Sequence, residues 1–322
     1  MLHLLSWLSL ALLAFLCGCG EPISSIKGRN YLQFDLSSQI DFWWEQAFLC
    51  AGQFPSKAHD DGRCDDGDMT LFNGLLCAAG EDLGCRGVRQ AQDQEGRWWR
   101  SPKRRAGQGR RPNNSFSRDM SLGVLLYLVK TRDLRAANHW LHWLDKHRPC
   151  LVRKPIGGGC VVRGLHRFCT NETSQSCTLT PGIWFNMALV WRHLGLPLHK
   201  SMSSALTSFA KHTIIGEAKS TSPGYALHLK AVTSFLYRTI GVYRIVTREL
   251  NQVLVGKQPG NIFFKFLKDG PSRDLAQSVM HLCPDQGRFS GRLSQWAWER
   301  DTDEKAWLNS MLWDCIFMAR LF

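Results

Sequence analysis

Four cysteines, Cys150, Cys160, Cys169 and Cys177, fall within His147–Cys177, HRPCLVRKPIGGGCVVRGLHRFCTNETSQSC, a stretch too rich in glycine to pack a core of its own. Something covalent or metallic has to order it. Zinc sites need cysteine pairs at C-x2-C spacing or histidines at helical spacing, and neither occurs here. Disulfides would order the stretch, but they persist only outside the reducing cytosol. The N-terminus therefore decides how the rest of the chain is read.

Leu2 to Leu16 is apolar apart from His3, Ser6 and Ser9 and is too short to cross a bilayer as a helix. It reads as the apolar core of a secretory signal peptide, although the usual basic flank is absent. The next residues are Leu16, Cys17, Gly18 and Cys19. This LCGC sequence resembles the bacterial lipobox, with Cys17 where alanine or serine is usual. The resemblance implies that residues 1–18 are a signal peptide and that Cys19 becomes the lipid-modified first residue of the mature chain. Gly20 is not the aspartate that retains lipoproteins at the inner membrane, so lipid attachment at the outer membrane of a bacterial envelope is expected. The alternative is an ordinary cleaved signal that discards both cysteines. No later segment reaches about 18 consecutive apolar residues, so the lipid is the only membrane contact expected.

Of the twelve cysteines, removing Cys17 and Cys19 leaves ten, an even number for an exported chain (12 − 2 = 10). They read as a disulfide framework. Closeness favours Cys50 with Cys64 and Cys77 with Cys85, and leaves Cys283 and Cys315 for each other. The middle four would staple the glycine-rich stretch internally. Each closed loop contributes about 2–4 kcal/mol, mostly by restricting the unfolded chain.

Of the whole chain 44% is apolar, and all of its 13 tryptophans but Trp7 fall within residues 19 to 322, enough to bury a substantial core. A net charge of +13 favours an anionic partner such as acidic polysaccharide or lipid headgroups, against the alternative of a solvated basic surface. Nucleic acid is not expected for an exported chain. Helical periodicity runs nearly throughout. MTLFNGLLCAAG (Met69 to Gly80) places Leu71, Leu75, Leu76 and Ala79 on one stripe and ends on glycine. SRDMSLGVLLYLVKT begins at Ser117, a residue suited to capping a helix, and DLRAANHWLHWLDKH follows almost at once. Segments beginning at Pro181, Lys200, Gly224, Tyr243, Asn261 and Asp303 continue the series, giving roughly ten to twelve helices. CVVRGLHRFC is the best candidate for a small hairpin, and SPKRRAGQGRRPNNS (Ser101 to Ser115) is the clearest loop. The expected architecture is a single all-α domain spanning 19–322, with two long decorated loops.

Three clusters of polar and aromatic residues lie at helix edges. The first holds Asp65, Asp66 and Asp68 just before a helix. Carboxylates there are stabilised by the helix dipole whatever their function, and the spacing lacks the terminal glutamate of an EF-hand. The second brings Arg97, Trp98, Trp99 and Arg100 together with Ser117, Arg118 and Asp119. Two adjacent tryptophans cannot both face one helical core, so at least one is expected at a surface or cleft. The third carries Trp296, Trp298, Glu299, Arg300 and Asp301 ahead of the last helix. No P-loop, G-x-S-x-G or H-E-x-x-H pattern occurs, and no metal or cofactor is expected.

Aromatic faces stack on sugars, while a pair of carboxyls about 5–9.5 Å apart hydrolyses the glycosidic bond. The hairpin style, with GDMTLFNGLLC, SRDM and GYALHLKAV as its most suggestive pieces, resembles the (α/α) toroid proteins, among them six-hairpin glycosidases and related polysaccharide lyases. That resemblance implies a toroid-like arrangement of helical hairpins with catalytic residues at inner-helix ends around a cleft. The candidates for catalysis are Asp119, Glu299, Asp66 and Asp68; those for substrate binding are Arg97, Trp98, Trp99, Arg100, Arg118, Tyr225, His228, Trp296 and Trp298. Polysaccharide, acidic or mixed, is the expected partner. Two alternatives stand beside hydrolysis. One is elimination on a uronic-acid chain with Tyr225 or His228, three apart on one helix face, as base. The other is a non-enzymatic envelope lipoprotein that binds glycan or a protein.

Overall fold

The computed structural model describes residues 33–65, 67–107, 116–170, 175–208, 211–242, 244–300 and 310–322. Residues 1–18, expected to be a signal peptide, lie outside the described residues, as do Cys19 and Asp66. The chain is mainly helical, as the periodicity predicts. The order is α1 (Gln33–Gln46), β1 (Leu49–Cys50), β2 (Phe54–Pro55), β3 (Lys57–Ala58), β4 (Cys64–Asp65), α2 (Met69–Ala78), α3 (Asp82–Gln90), α4 (Pro102–Arg105), α5 (Met120–Thr131) and α6 (Leu134–Lys146). Then come β5 (Cys150–Arg153), β6 (Cys160–Arg163), α7 (Pro181–Leu194), α8 (Lys200–Ser208), α9 (Lys211–Ser220) and α10 (Tyr225–Thr239). The series ends with α11 (Arg244–Lys257), α12 (Ile262–Asp269), α13 (Arg273–Leu282) and α14 (Trp313–Ala319); short 3-10 turns lie at Gln175–Cys177 and Ala297–Glu299. The strands form three separate antiparallel pairs, β1–β2, β3–β4 and β5–β6.

Helices that are apolar on every side must be enclosed by others. α2 is buried from Met69 to Cys77, α5 from Met120 to Val129, and α14 from Trp313 to Ala319. α2 packs on α5, α5 on α7 and α10, α10 on α12, α12 on α13, α13 on α14, and α14 back on α2, so the contacts close a cycle. α3 lies against α2, α6 against α5, α8 against α7, and α11 against α10 and α12. The buried side chains form one continuous apolar cluster from Trp43 to Ala319. Among the described residues no helix is long and apolar enough to cross a membrane.

Several elements differ from their sequence expectation. α3, DLGCRGVRQ, is not among the segments that the periodicity marks as helical, yet it is a helix, and its glycines let it sit on α2. A β-carbon at Gly84 would stand 2.6 Å from the Leu76 β-carbon, and one at Gly87 would stand 2.7 Å from the Asn73 amide. α1 and α13 are also additional helices, and Pro102–Arg105 forms a short helix inside the segment expected to be loop. Ser117 does not cap α5. The helix starts at Met120, and the Ser117 hydroxyl donates to the Asp119 carboxylate. The hairpin expected within CVVRGLHRFC lies upstream, between Cys150–Arg153 and Cys160–Arg163.

Five disulfides tie the loops to this frame: Cys50–Cys64, Cys77–Cys85, Cys150–Cys160, Cys169–Cys177 and Cys283–Cys315. Two of them, Cys150–Cys160 and Cys169–Cys177, answer the question raised by the glycine-rich stretch: it is held by internal bridges.

Candidate active site

α2 and α5 begin from residues whose carboxylates are not used as helix caps. Asp68 precedes α2 in the left-handed region, at φ 58° and ψ 15°, and makes no side-chain capping bond. A non-glycine residue there costs about 1–3 kcal/mol and persists only where its surroundings fix it. They do so here. The Thr70 amide donates to the Arg100 carbonyl at 2.9 Å and its hydroxyl to the Trp99 carbonyl at 2.6 Å, so the Arg97–Arg100 segment satisfies the first turn. The Asp68 carboxylate is thereby free to meet the Arg100 guanidinium at 2.8 Å. Asp119, before α5, is likewise without a capping bond. It accepts hydrogen bonds from the Ser117 hydroxyl and from the Tyr225 phenol at the start of α10.

Glu299 completes the group from the far end of the chain. It lies in the Ala297–Glu299 turn, 8% exposed, and among the described residues its Oε1 has no hydrogen-bond partner. Burial pushes its pKa up to about 8, with Asp68 and Asp314 raising it further and Lys57 and Arg300 opposing. Asp68 is raised as well, first by burial and then by the charge of Asp119. The Tyr225 phenol is held protonated far above its ordinary value by burial and by Asp119, Asp68 and Glu299. Tyr225 thus stands in the field of three carboxylates brought from three places in the sequence.

The turn that carries Glu299 is clamped from behind. The Ala297 amide donates to Asp314 Oδ2 at 2.7 Å, and the Trp298 indole donates to the Asp314 carbonyl at 2.8 Å. Asn261 donates to the Trp298 carbonyl at 3.0 Å and Gln258 to the Arg300 carbonyl at 2.8 Å. Asp314 is fully buried, with a pKa pushed up to about 6 by desolvation against the hydrogen bonds from Ser310 and Ala297. Lys57 reaches the group from β3, 3.5 Å from Asp65 and with its ammonium over the Phe72 ring. Sequence reasoning missed Lys57 and Asp314. Lys57 sits in a two-residue strand, and Asp314 acts only through folding.

The remaining expected residues divide by burial. Trp98, Trp296 and Trp298 are each 1% exposed and pack the core: Trp98 lies edge-on to Tyr127, Trp296 is stacked on Phe72, and Trp298 is bonded to Asp314. They cannot serve as sugar platforms. His228 is also fully buried, beside Phe263, and desolvation pushes its pKa down to about 3, against a smaller opposing effect of the Trp298 backbone. It has no route to substrate. Trp99 is the tryptophan of its pair that keeps some exposure. Its indole donates to Asp93 at 2.9 Å and its face carries the Arg97 guanidinium at 4.0 Å. Arg118 is exposed beside Asp119.

One group of potential metal ligands forms elsewhere, where Asp145, His166 and His199 bring their donor atoms within 4.8 Å of one another. His166 Nε2 lies 2.7 Å and His199 Nε2 3.4 Å from Asp145 Oδ1. His199 Nδ1 accepts from the Ser201 amide at 3.2 Å at the start of α8, which leaves the neutral ring's proton on Nε2, facing the carboxylate. That orientation makes the ring a hydrogen-bond donor to Asp145, and the cluster is explained as polar packing around Trp184.

Comparison with protein-family models, curated proteins and solved structures finds no match to this chain.

Proposed function

We propose that the chain is an exported lipoprotein, acylated at Cys19 and held at the outer membrane, that cleaves polysaccharide with paired carboxylates at the mouth of a helical toroid. The observation that supports it most is Glu299: a buried carboxyl, protonated at neutral pH, beside Asp68 and in the field around Tyr225. A carboxyl in that state is a proton donor for a glycosidic oxygen. Asp119 keeps lone pairs beyond the two hydroxyls it accepts, and serves as the base or nucleophile. Arg100 holds Asp68, while Trp99, Arg97 and Arg118 supply substrate contacts alongside. The closed cycle of helices, with Asp68, Asp119 and Tyr225 at the starts of α2, α5 and α10, supports the toroid reading. The charge of +13 supports an acidic or mixed glycan.

Hydrolysis is favoured over elimination. An eliminating base must be unprotonated and reach the sugar. Tyr225 is held protonated and His228 is sealed in the core.

The test is a polysaccharide panel, assayed for new reducing ends and for unsaturated products, with the wild-type chain, Glu299→Gln and Asp119→Asn. New reducing ends that vanish in both variants support the reading. Unsaturated products would replace it with elimination. Binding without cleavage, equal in all three proteins, would leave a non-enzymatic glycan-binding lipoprotein. Separately, Cys19→Ala should abolish labelling by a fatty-acid probe, and retained labelling would move or remove the anchor.

A further inference from the structure

The β5–β6 hairpin carries apolar side chains that are left exposed among the described residues. Leu151 is 68% exposed, Ile156 88%, Val161 58% and Leu165 69%. Val152 and Val162, directly opposite each other across the strands, are also exposed. Large aliphatic side chains in such density on one small element are not ordinary surface. They lie along the strands, at the tip and at the exit, so they form a projecting apolar finger and not a flat patch or a groove.

The charge on this finger has one sign. From Lys146 to Thr170 the sequence holds six Lys or Arg residues and no Asp or Glu. Among the described residues neither Arg153 nor Lys154, both exposed, forms an ion pair. The base of the finger is fixed to the helical frame. Arg163 donates to the Asp145 and Lys146 carbonyls at 3.2 and 3.3 Å, and Arg148 donates to the Gly164 carbonyl at 2.8 Å. Cys150–Cys160 closes the two strands. A two-stranded hairpin alone is marginal in water, so these ties are what hold an exposed apolar element in one shape.

We propose that this hairpin docks on an anionic lipid bilayer, with Leu151, Ile156, Val161 and Leu165 entering the headgroup–acyl boundary and Arg153 and Lys154 meeting lipid phosphates. An anionic surface complements a cationic collar that has no acid of its own, and the acyl boundary accepts apolar side chains projecting in several directions. A second copy of this chain would bring the same cationic collar against the first, and like-charge repulsion would oppose the contact. The contact is independent of acylation and adds a second attachment point that would orient the domain on the membrane.

The test uses the full chain carrying Cys19→Ala, so that no acyl chain contributes, in flotation with vesicles of phosphatidylcholine alone or mixed with phosphatidylglycerol. The unaltered hairpin should float with the anionic vesicles and much less with the neutral ones. Arg153→Glu with Lys154→Glu should weaken partitioning roughly fivefold or more for each cation removed. Ile156→Asp should weaken it on every vesicle, and near-ultraviolet circular dichroism should show both variants still folded. Flotation unchanged in the variants would place the binding in the N-terminal apolar segment and overturn the proposal. Hairpin-dependent self-association in sedimentation, without flotation, would make this face a protein contact and overturn it too.

Discussion

Gly74 in α2 and Gly123 in α5 meet backbone to backbone: a β-carbon added to Gly74 would stand 2.2 Å from the Gly123 carbonyl oxygen. This close approach is what sets the two helix starts, and with them Asp68 and Asp119, beside each other. Burial raises Asp68 most, and the repulsion from Asp119 that adds to it follows from two hydrogen atoms standing where side chains would otherwise be.

Gly123→Ala therefore places a methyl group 2.2 Å from the Thr70 carbonyl oxygen, against backbone that cannot yield. The expected loss is about 1–3 kcal/mol or more, read by chemical denaturation. Gly216→Ala is the contrast. That glycine is exposed in α9 with nothing within 4 Å of an added β-carbon, so the change should stabilise by up to about 1 kcal/mol. Equal effects at the two sites would remove the packing argument.

Glu299 has a folded pKa near 8, above the ordinary 4.5. Its stability contribution is fully present below the unfolded value. Between the two values the unfolded chain releases the proton that the folded chain keeps, so stability falls as pH rises through this window. The decline should amount to a few kcal/mol and level off above the folded pKa. Glu299→Gln removes this group's share of the decline, raising the melting temperature at alkaline pH and leaving it little changed at acidic pH. Identical stability–pH curves for the two proteins would put Glu299 in a wetter setting than its burial implies.

Asp119→Asn should abolish cleavage of a responsive glycan, by about a hundredfold or more, with the melting temperature nearly unchanged. The reason is geometric: Asp119 makes no capping bond to α5, so the helix does not depend on its charge. Unfolding of this variant would make Asp119 a structural residue.

All ten cysteines from Cys50 onward are paired, so alkylation of the denatured, unreduced chain should find none of them free. Under mild reductant Cys150–Cys160 should open first, since its strands are exposed, while the buried pair Cys283–Cys315 resists. Replacing Cys283 and Cys315 should lower stability by about 2–4 kcal/mol. Six or more reactive thiols in the unreduced protein would contradict the framework.

Helices with apolar stripes are legible in the sequence, because burial imposes a period that the order of apolar residues displays. α3 is not, since glycines chosen for close packing look the same as glycines chosen for a turn. Asp68, Asp119 and Glu299 were visible as carboxylates near helix starts. Their coupling through Tyr225 was not, because it depends on how α2, α5 and α10 pack. The tryptophans misled for the same reason. Trp98, Trp296 and Trp298 have the chemistry of a sugar platform, and only tertiary structure reveals that their rings are buried, against Tyr127, Phe72 and the turn around Asp314 respectively.

The Trp313 indole donates to the Phe48 carbonyl at 2.8 Å, across a sequence separation of 265 residues. Closing so long a loop adds little to the equilibrium cost, which grows only with the logarithm of length, but it slows the search. A chain emerging N-terminus first must hold the apolar surfaces of α2 and α5 apart from other chains until α14 arrives. The same helix carries Asp314, which sets the turn bearing Glu299. The geometry of the Glu299 turn therefore waits on α14: until that helix is in place, the turn lacks the two Asp314 hydrogen bonds that hold it, however well the first helices have formed.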